Sequence, residues 1–238
     1  MYYLGIDLGG TNIVAGVVDE DGNIVVKASC KTSTPRTMEA ICDDMAAVAQ
    51  SALENAGLTT NDVQYIGIGA PGAVNSETGV IEFANNFGFH NWEIVNMMEQ
   101  RLGTKIYVEN DANAAAYGEY CVGAAKDAND AVMITLGTGV GSGIVVDGRL
   151  VNGHDGHAGE LGHTCAVKNG RDCPCGQKGC LETYCSATGV ARTAVEMLAK
   201  SKTPSILRKV KDITSKDVFD AAEKAVLPSI LLRSPSII

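Results

Sequence analysis

The sequence predicts an α/β fold of two duplicated lobes with a zinc knuckle in the second, and three observations carry that expectation. A glycine-turned hairpin occurs twice: Leu8-Gly9-Gly10-Thr11 is answered by Leu136-Gly137-Thr138-Gly139, Gly16-Val17-Val18 by Gly143-Ile144-Val145, and Asp21-Gly22-Asn23-Ile24 by Asp147-Gly148-Arg149-Leu150. The offset drifts only from 128 to 126 residues, so a whole supersecondary unit is repeated, which implies two similar lobes with a cleft between them. Short apolar runs alternate with helical periodicities through the first half. Finally, His163, Cys173, Cys175 and Cys180 stand at the spacing His-x9-Cys-x-Cys-x4-Cys. Imidazole and thiolates in that number close a tetrahedral shell, the pattern of a structural zinc site. Unrelated free thiols in a loop are the alternative.

Composition excludes several classes. A chain of 238 residues suffices for two modest domains or one large one. With 20% charged residues and 5% aromatics it is globular rather than disordered. A net charge of −9, with no basic cluster, argues against nucleic acid as a partner. Strand-like Tyr2-Tyr3-Leu4-Gly5-Ile6 opens the chain and leaves no room for a targeting helix. No apolar run approaches membrane-spanning length. Eight cysteines without a secretion signal then point to a reducing, cytoplasmic setting and to metal or free-thiol roles.

In chain order, Tyr2 to Val18 reads as strand, glycine turn, strand, with Asp21-Gly22 turning into Asn23-Ile24-Val25-Val26. The Gly9-Gly10-Thr11 turn lets backbone N–H groups approach phosphate oxygens, and Asp7 at a strand end suits a hydrated Mg²⁺. Helical spacing from Met38 to Ala56 predicts a helix capped by Thr37 and stopped by Gly57; its methionines are core. Val63 to Ile68 reads as a strand, Gly69-Ala70-Pro71-Gly72 as a loop, and Asn85-Asn86-Phe87 with Asn91-Trp92 as a second loop. The paired asparagines fit either a turn or a set of amides for ligand hydroxyls.

Ile94 to Leu102 reads as a helix and Lys105 to Val108 as a strand ending at Glu109-Asn110-Asp111-Ala112-Asn113. A helix follows to Tyr120. Asp111 is then either an N-cap or a general base at a strand end facing a cleft. The lobe boundary is expected there, at 1–111 and 112–238. Further on, Glu160 precedes His163 by three residues and Glu182 follows Cys180 by two. Fixing the metal ligands thus fixes two carboxylates, an acceptor set suited to a sugar; two solvated glutamates are the bland alternative. Leu181 to Lys200 and Ser215 to Lys224 read as helices. The apolar, proline-interrupted tail after Lys224 fits neither helix nor central strand.

Together, Asp7-Leu8-Gly9-Gly10-Thr11-Asn12, Asn110-Asp111-Ala112-Asn113, Leu136-Gly137-Thr138-Gly139-Val140-Gly141 and the Cys-x-Cys-Gly-x-x-Gly-Cys-Leu-Glu segment resemble the ROK family of sugar kinases. The likeness covers about residues 2–224 and is greatest to the glucose-phosphorylating bacterial members. It implies the actin/Hsp70-like (ribonuclease H-like) fold and ATP-dependent phosphorylation of a hexose, glucose to glucose 6-phosphate. By the same resemblance, Gly72, Asn86, Asn110, Asp111, Glu160, His163 and Glu182 contact the sugar, with Asp111 as the base. Gly9, Gly10, Thr11, Asn12, Gly137, Thr138 and Gly139 embrace the phosphates of ATP, with Asp7 on Mg²⁺. His163 serves twice, as Zn²⁺ ligand and sugar donor.

The resemblance also implies a homodimer or homotetramer. The chain departs from the family pattern after Lys224, where a Gly-Gly-rich adenosine-binding turn and a closing helix are expected, so it reads as a shortened second lobe. The rival readings are an N-acetylmannosamine or N-acetylglucosamine kinase and a non-catalytic sugar-binding protein. Repressor members carry a DNA-binding segment before the first strand, and none is seen here.

Overall fold

The computed structural model describes residues 1–84, 87–154, 156 and 158–225. Contacts group the chain into two units: Met1–Met133 with Ser142–Gly159, and Ile134–Gly141 with Glu160–Ile238. This division differs from the repeat-based boundary at Asp111, because the helix that starts there stays packed on the first unit's strands.

The first unit is built on a sheet of β1 (Tyr2–Leu8), β2 (Asn12–Asp19), β3 (Ile24–Lys31), β4 (Val63–Ala70) and, further along the chain, Ile106–Asn110, with order β3-β2-β1-β4 and then that last strand. β1, β2 and β3 are antiparallel neighbours, as the two glycine turns require. β1 runs parallel to β4, which runs parallel to the last strand. That register sets Asp7 opposite Gly69 and Gly69 opposite Glu109, so three strand ends deliver Asp7, Ala70 and Asn110 to one edge. Ligands of parallel α/β sheets collect at that edge.

Helix α1 (Met38–Asn55) covers one face, with Ile41, Met45, Ala49 and Leu53 buried against Leu4, Ile6 and Val17. Each large apolar side chain so buried contributes about 1.5–3 kcal/mol. The start of the helix is fixed by Thr37, whose side chain accepts from Ala40 N at 3.3 Å, and its end by Gly57 at φ +70°. Thr37→Ala is expected to cost about 1 kcal/mol. A denaturant titration followed by circular dichroism should show a lower midpoint at constant slope, and an unmoved midpoint would refute the capping role.

Two loop expectations are corrected. Gly69 and Ala70 continue β4, because pairing with Glu109 and Asn110 outweighs their turn-forming composition. The stretch after Pro71 forms a small antiparallel sheet of β5 (Ala73–Asn75), β6 (Val80–Ala84) and β7 (Phe89–Trp92), so Asn91 and Trp92 lie in a strand. Trp92 is fully buried there, edge-on to Phe89 at 5.3 Å and to Phe87 at 6.0 Å. Asn86, expected at the sugar, lies outside the described residues.

Helix α2 (Ile94–Leu102) follows, ended by Gly103 at φ +65°, and leads into β8 (Ile106–Asn110) and α3 (Asp111–Val122). The second glycine hairpin is present as β9 (Ala131–Leu136) and β10 (Val140–Val146), joined to β11 (Arg149–Leu150) by a turn with Asp147 at φ +47° and Gly148 at φ +73°. These strands form a sheet in the order β11-β10-β9.

In the second unit the helix expected over Leu181–Lys200 is broken. Glu182–Cys185 forms α4 and Ala187–Lys200 forms α5, separated by Ser186 in extended backbone (φ −67°, ψ 166°). The Ser186 hydroxyl caps α5 by accepting from Gly189 N at 3.1 Å, a local hydrogen bond that competes with helix continuation. α6 (Ser215–Ala225) matches its expectation. Among the described residues no helix is long and apolar enough to cross a membrane.

Candidate active site

At the strand edge of the first unit, the cap of α3 is Asn110. Its Oδ1 accepts from Ala112 N at 3.0 Å and Asn113 N at 3.2 Å. Its Nδ2 donates to Gly72 O at 3.1 Å. Gly72 adopts φ +102°, and a Cβ there would lie 2.1 Å from Phe83 O, so only glycine fits. Asp111, in the first turn of α3, is exposed and accepts from Ala112 N at 2.8 Å.

Behind this edge sits a network the sequence reading missed. Glu109 accepts from Ser76 Oγ at 2.9 Å, Asn113 Nδ2 at 3.2 Å and Asn152 Nδ2 at 3.3 Å. Asn113 is 4% exposed, so this carboxylate and two amides fix the ends of β8 and α3 together.

The first glycine turn is braced from behind. Gly9 N donates to Asn12 O at 3.0 Å. Thr32, fully buried, donates its hydroxyl to Gly9 O at 2.7 Å and its N–H to Thr11 O at 3.0 Å. Lys31 Nζ donates to Asn12 Oδ1 at 2.8 Å. Gly10 has nothing within 4 Å of its missing side chain, leaving the turn's outer side open to a ligand. Loss of surrounding water pushes the Asp7 carboxyl above its usual range, and a cation there would bring it back down.

In the second unit, His163, Cys173, Cys175 and Cys180 do converge: their ligand atoms all lie within 4.8 Å of one another. Cys173 Sγ is 3.6 Å from His163 Nδ1, and Cys175 Sγ is 3.6 Å from Cys180 Sγ. Tetrahedral zinc with its usual sulfur bonds would place two sulfurs about 3.8 Å apart, so the donor set fits that ion. Gly179 makes the turn possible: at φ +78°, a Cβ there would lie 1.8 Å from Val167 O. Burial and the adjoining Cys175 and Cys173 push the Cys180 thiol up to about 12. Dication ligation reverses this by deprotonating the thiol outright. Cys165 and Cys185 fall outside the set.

Arg171, 8% exposed at its side chain, ties the His/Cys segment to the helices that follow. Its guanidinium donates to Thr183 O at 2.6 Å and to Glu196 Oε2 at 2.8 Å, and stacks 4.5 Å from the Tyr184 ring centroid. Sequence spacing gave no sign of this anchor. Glu160 Oε2 lies 3.9 Å from His163 Nε2. Glu182, expected at the sugar, accepts from Val140 N at 3.0 Å through Oε2, beside the second glycine turn.

The repeated glycine hairpin and the mixed sheet, with the solved ROK hexokinase and glucokinase structures that the chain resembles, give an α/β protein of the actin/Hsp70-like class. The chain belongs to the ROK family, whose description matches residues 3–229. The glucokinase of Streptomyces coelicolor is 44% identical over 191 residues, which are 80% of this chain and 58% of that protein. The glucokinase of Thermotoga maritima is 36% identical over 234 residues, 97% of this chain and 72% of that one. A crystal structure of a ROK family glucokinase from Streptomyces griseus in complex with glucose and AMPPNP matches with TM-score 0.78 at 38% identity, covering 94% of this chain and 72% of that one. The chain thus spans under two thirds of the S. coelicolor protein's length.

Proposed function

We propose that this chain phosphorylates a hexose from Mg-ATP, converting glucose to glucose 6-phosphate. The observation that carries the reading is the placement of Asp111. It stands at the ligand edge of the parallel strands, exposed, with helix capping already performed by Asn110. An exposed carboxylate at that strand end suits a general base. Glucokinase relatives at 36–44% identity support the substrate assignment.

In this reading Gly72, Asn110, Glu160, His163 and Glu182 orient the sugar hydroxyls, and Asp111 accepts the proton of the 6-hydroxyl. The sugar oxygen then forms its bond to the γ-phosphorus in line as the bond to the β-phosphate oxygen breaks, releasing ADP. The Gly9-Gly10-Thr11 turn with Asn12, and Gly137-Thr138-Gly139, receive the phosphates. Asp7 would hold Mg²⁺, which neutralises phosphate charge when bound. His163, Cys173, Cys175 and Cys180 would hold Zn²⁺, which would supply rigidity rather than bond-making. Its ligation of His163 would fix the ring for a second contact.

Residues 1–111 carry the first phosphate turn in this scheme and residues 112–238 the second. A cytoplasmic homodimer or homotetramer belongs to the same reading. ADP release from Mg-ATP should depend on glucose and exceed that with N-acetylmannosamine or N-acetylglucosamine. Preference for an acetylated sugar would reassign the substrate. Glucose binding by calorimetry without turnover would make the chain a sugar-binding protein.

A further inference from the structure

Within the second unit, three ties run to the second glycine turn from the ligand-bearing segment and from the start of α5 just after it. Ala187 N donates to Gly137 O at 2.9 Å, at the start of the turn. Val140 N donates to Glu182 Oε2 at 3.0 Å, at its end. A Cβ on Gly162 would lie 2.1 Å from Val140 O, so the Leu161–His163 turn presses its backbone directly onto the strand. The space between is closed as well: a Cβ on Gly139 would lie 2.5 Å from Glu182 Oε2.

These contacts are spaced closely along the chain from the converging ligands. Gly162 adjoins His163, and Glu182 stands two residues beyond Cys180. An anion-binding turn works by holding N–H groups in place before the ligand arrives. Whatever fixes His163 and Cys180 therefore fixes the frame that holds Gly137 to Val140.

We propose that Glu182 is a positioning residue that clamps the second glycine turn to the metal centre, so that metal occupancy sets the order of the turn. The consequence for nucleotide rests on the reading of Gly137-Thr138-Gly139 as a phosphate turn. Two effects of the carboxylate oppose each other there. Its charge repels phosphate, whereas its acceptor orders the backbone, and the proposal requires the second to dominate.

Two variants separate them, because Glu182→Gln removes the charge yet keeps a carbonyl acceptor, and Glu182→Ala removes both. Amide hydrogen exchange, read without any nucleotide, should show Val140 equally protected in parent and E182Q. In E182A and in chelator-treated parent it should exchange at least about tenfold faster, while the amides of β1 and β4 stay unchanged. Binding of Mg-AMPPNP in the absence of sugar should weaken about 10–100-fold in E182A, the loss of a hydrogen bond to a charged acceptor, and recover in E182Q.

Equal Val140 protection in E182A and parent would overturn the clamp. Tighter AMPPNP binding by both variants would overturn it too, by showing that charge repulsion dominates. The predicted exchange pattern in a parent that binds no AMPPNP would support the clamp and overturn only the phosphate-turn reading.

Discussion

Asp111→Asn is expected to lower kcat for glucose phosphorylation by about 10²–10⁴-fold, the usual contribution of a general base. That corresponds to about 2.7–5.4 kcal/mol of barrier. The substitution is nearly isosteric, and its amide oxygen can still accept from Ala112 N as Asp111 Oδ1 does at 2.8 Å. It cannot take the hydroxyl proton. Folding should be almost untouched, since Asn110 supplies the cap. The loss of a negative charge in the first helical turn costs only about 0.3–1 kcal/mol. Glucose affinity should therefore persist while turnover falls, so steady-state kinetics beside glucose calorimetry check the assignment. Turnover equal to the parent's would remove Asp111 from the base role.

Cys180→Ser should abolish metal retention and loosen the second unit. Cys180 is fully buried and shares one cluster with His163, Cys173 and Cys175. A neutral serine hydroxyl is a poor replacement for a thiolate on zinc. In small zinc-folded peptides the ion contributes about 10–16 kcal/mol at neutral pH. The loss here is expected to be only part of that, because Arg171 still joins the His/Cys segment to Thr183 and Glu196. Elemental analysis of parent protein purified without chelator should find zinc, and of C180S none. Chelator should then lower the parent's thermal midpoint towards that of C180S and leave the variant unmoved. A metal-free parent would contradict the zinc assignment.

Much of the first unit was legible because its determinants are local. The hairpins β1–β3, the Thr37 cap and the Gly57 stop are written in neighbouring residues, and so is the stop of α2 at Gly103. The β5–β7 sheet was not, since its strands run three to five residues and carry Asn75, Glu82 and His90, which read as loop. Its order is imposed by pairing and by the aromatic packing of Trp92. Gly69 and Ala70 were misread for a related reason: tertiary pairing overrides turn composition.

Among site residues, the converging ligands were readable because glycines at set intervals between them force the turns. Glu109 was not, as its partners Ser76 and Asn152 lie 33 and 43 residues away. For Glu182 the sequence exposed the residue and hid its hydrogen bond to Val140. Spacing names residue types and intervals, whereas a hydrogen-bond partner depends on where the backbone returns.

The chain contains a single tryptophan, Trp92, and it is fully buried in the first unit. Its fluorescence is therefore a spectroscopic label for one half of the molecule, expected to emit to the blue and to shift red only when the β5–β7 sheet opens. The second unit is dark to that probe. Comparing the tryptophan signal with a whole-chain signal such as helicity separates the melting of the two units without any added dye.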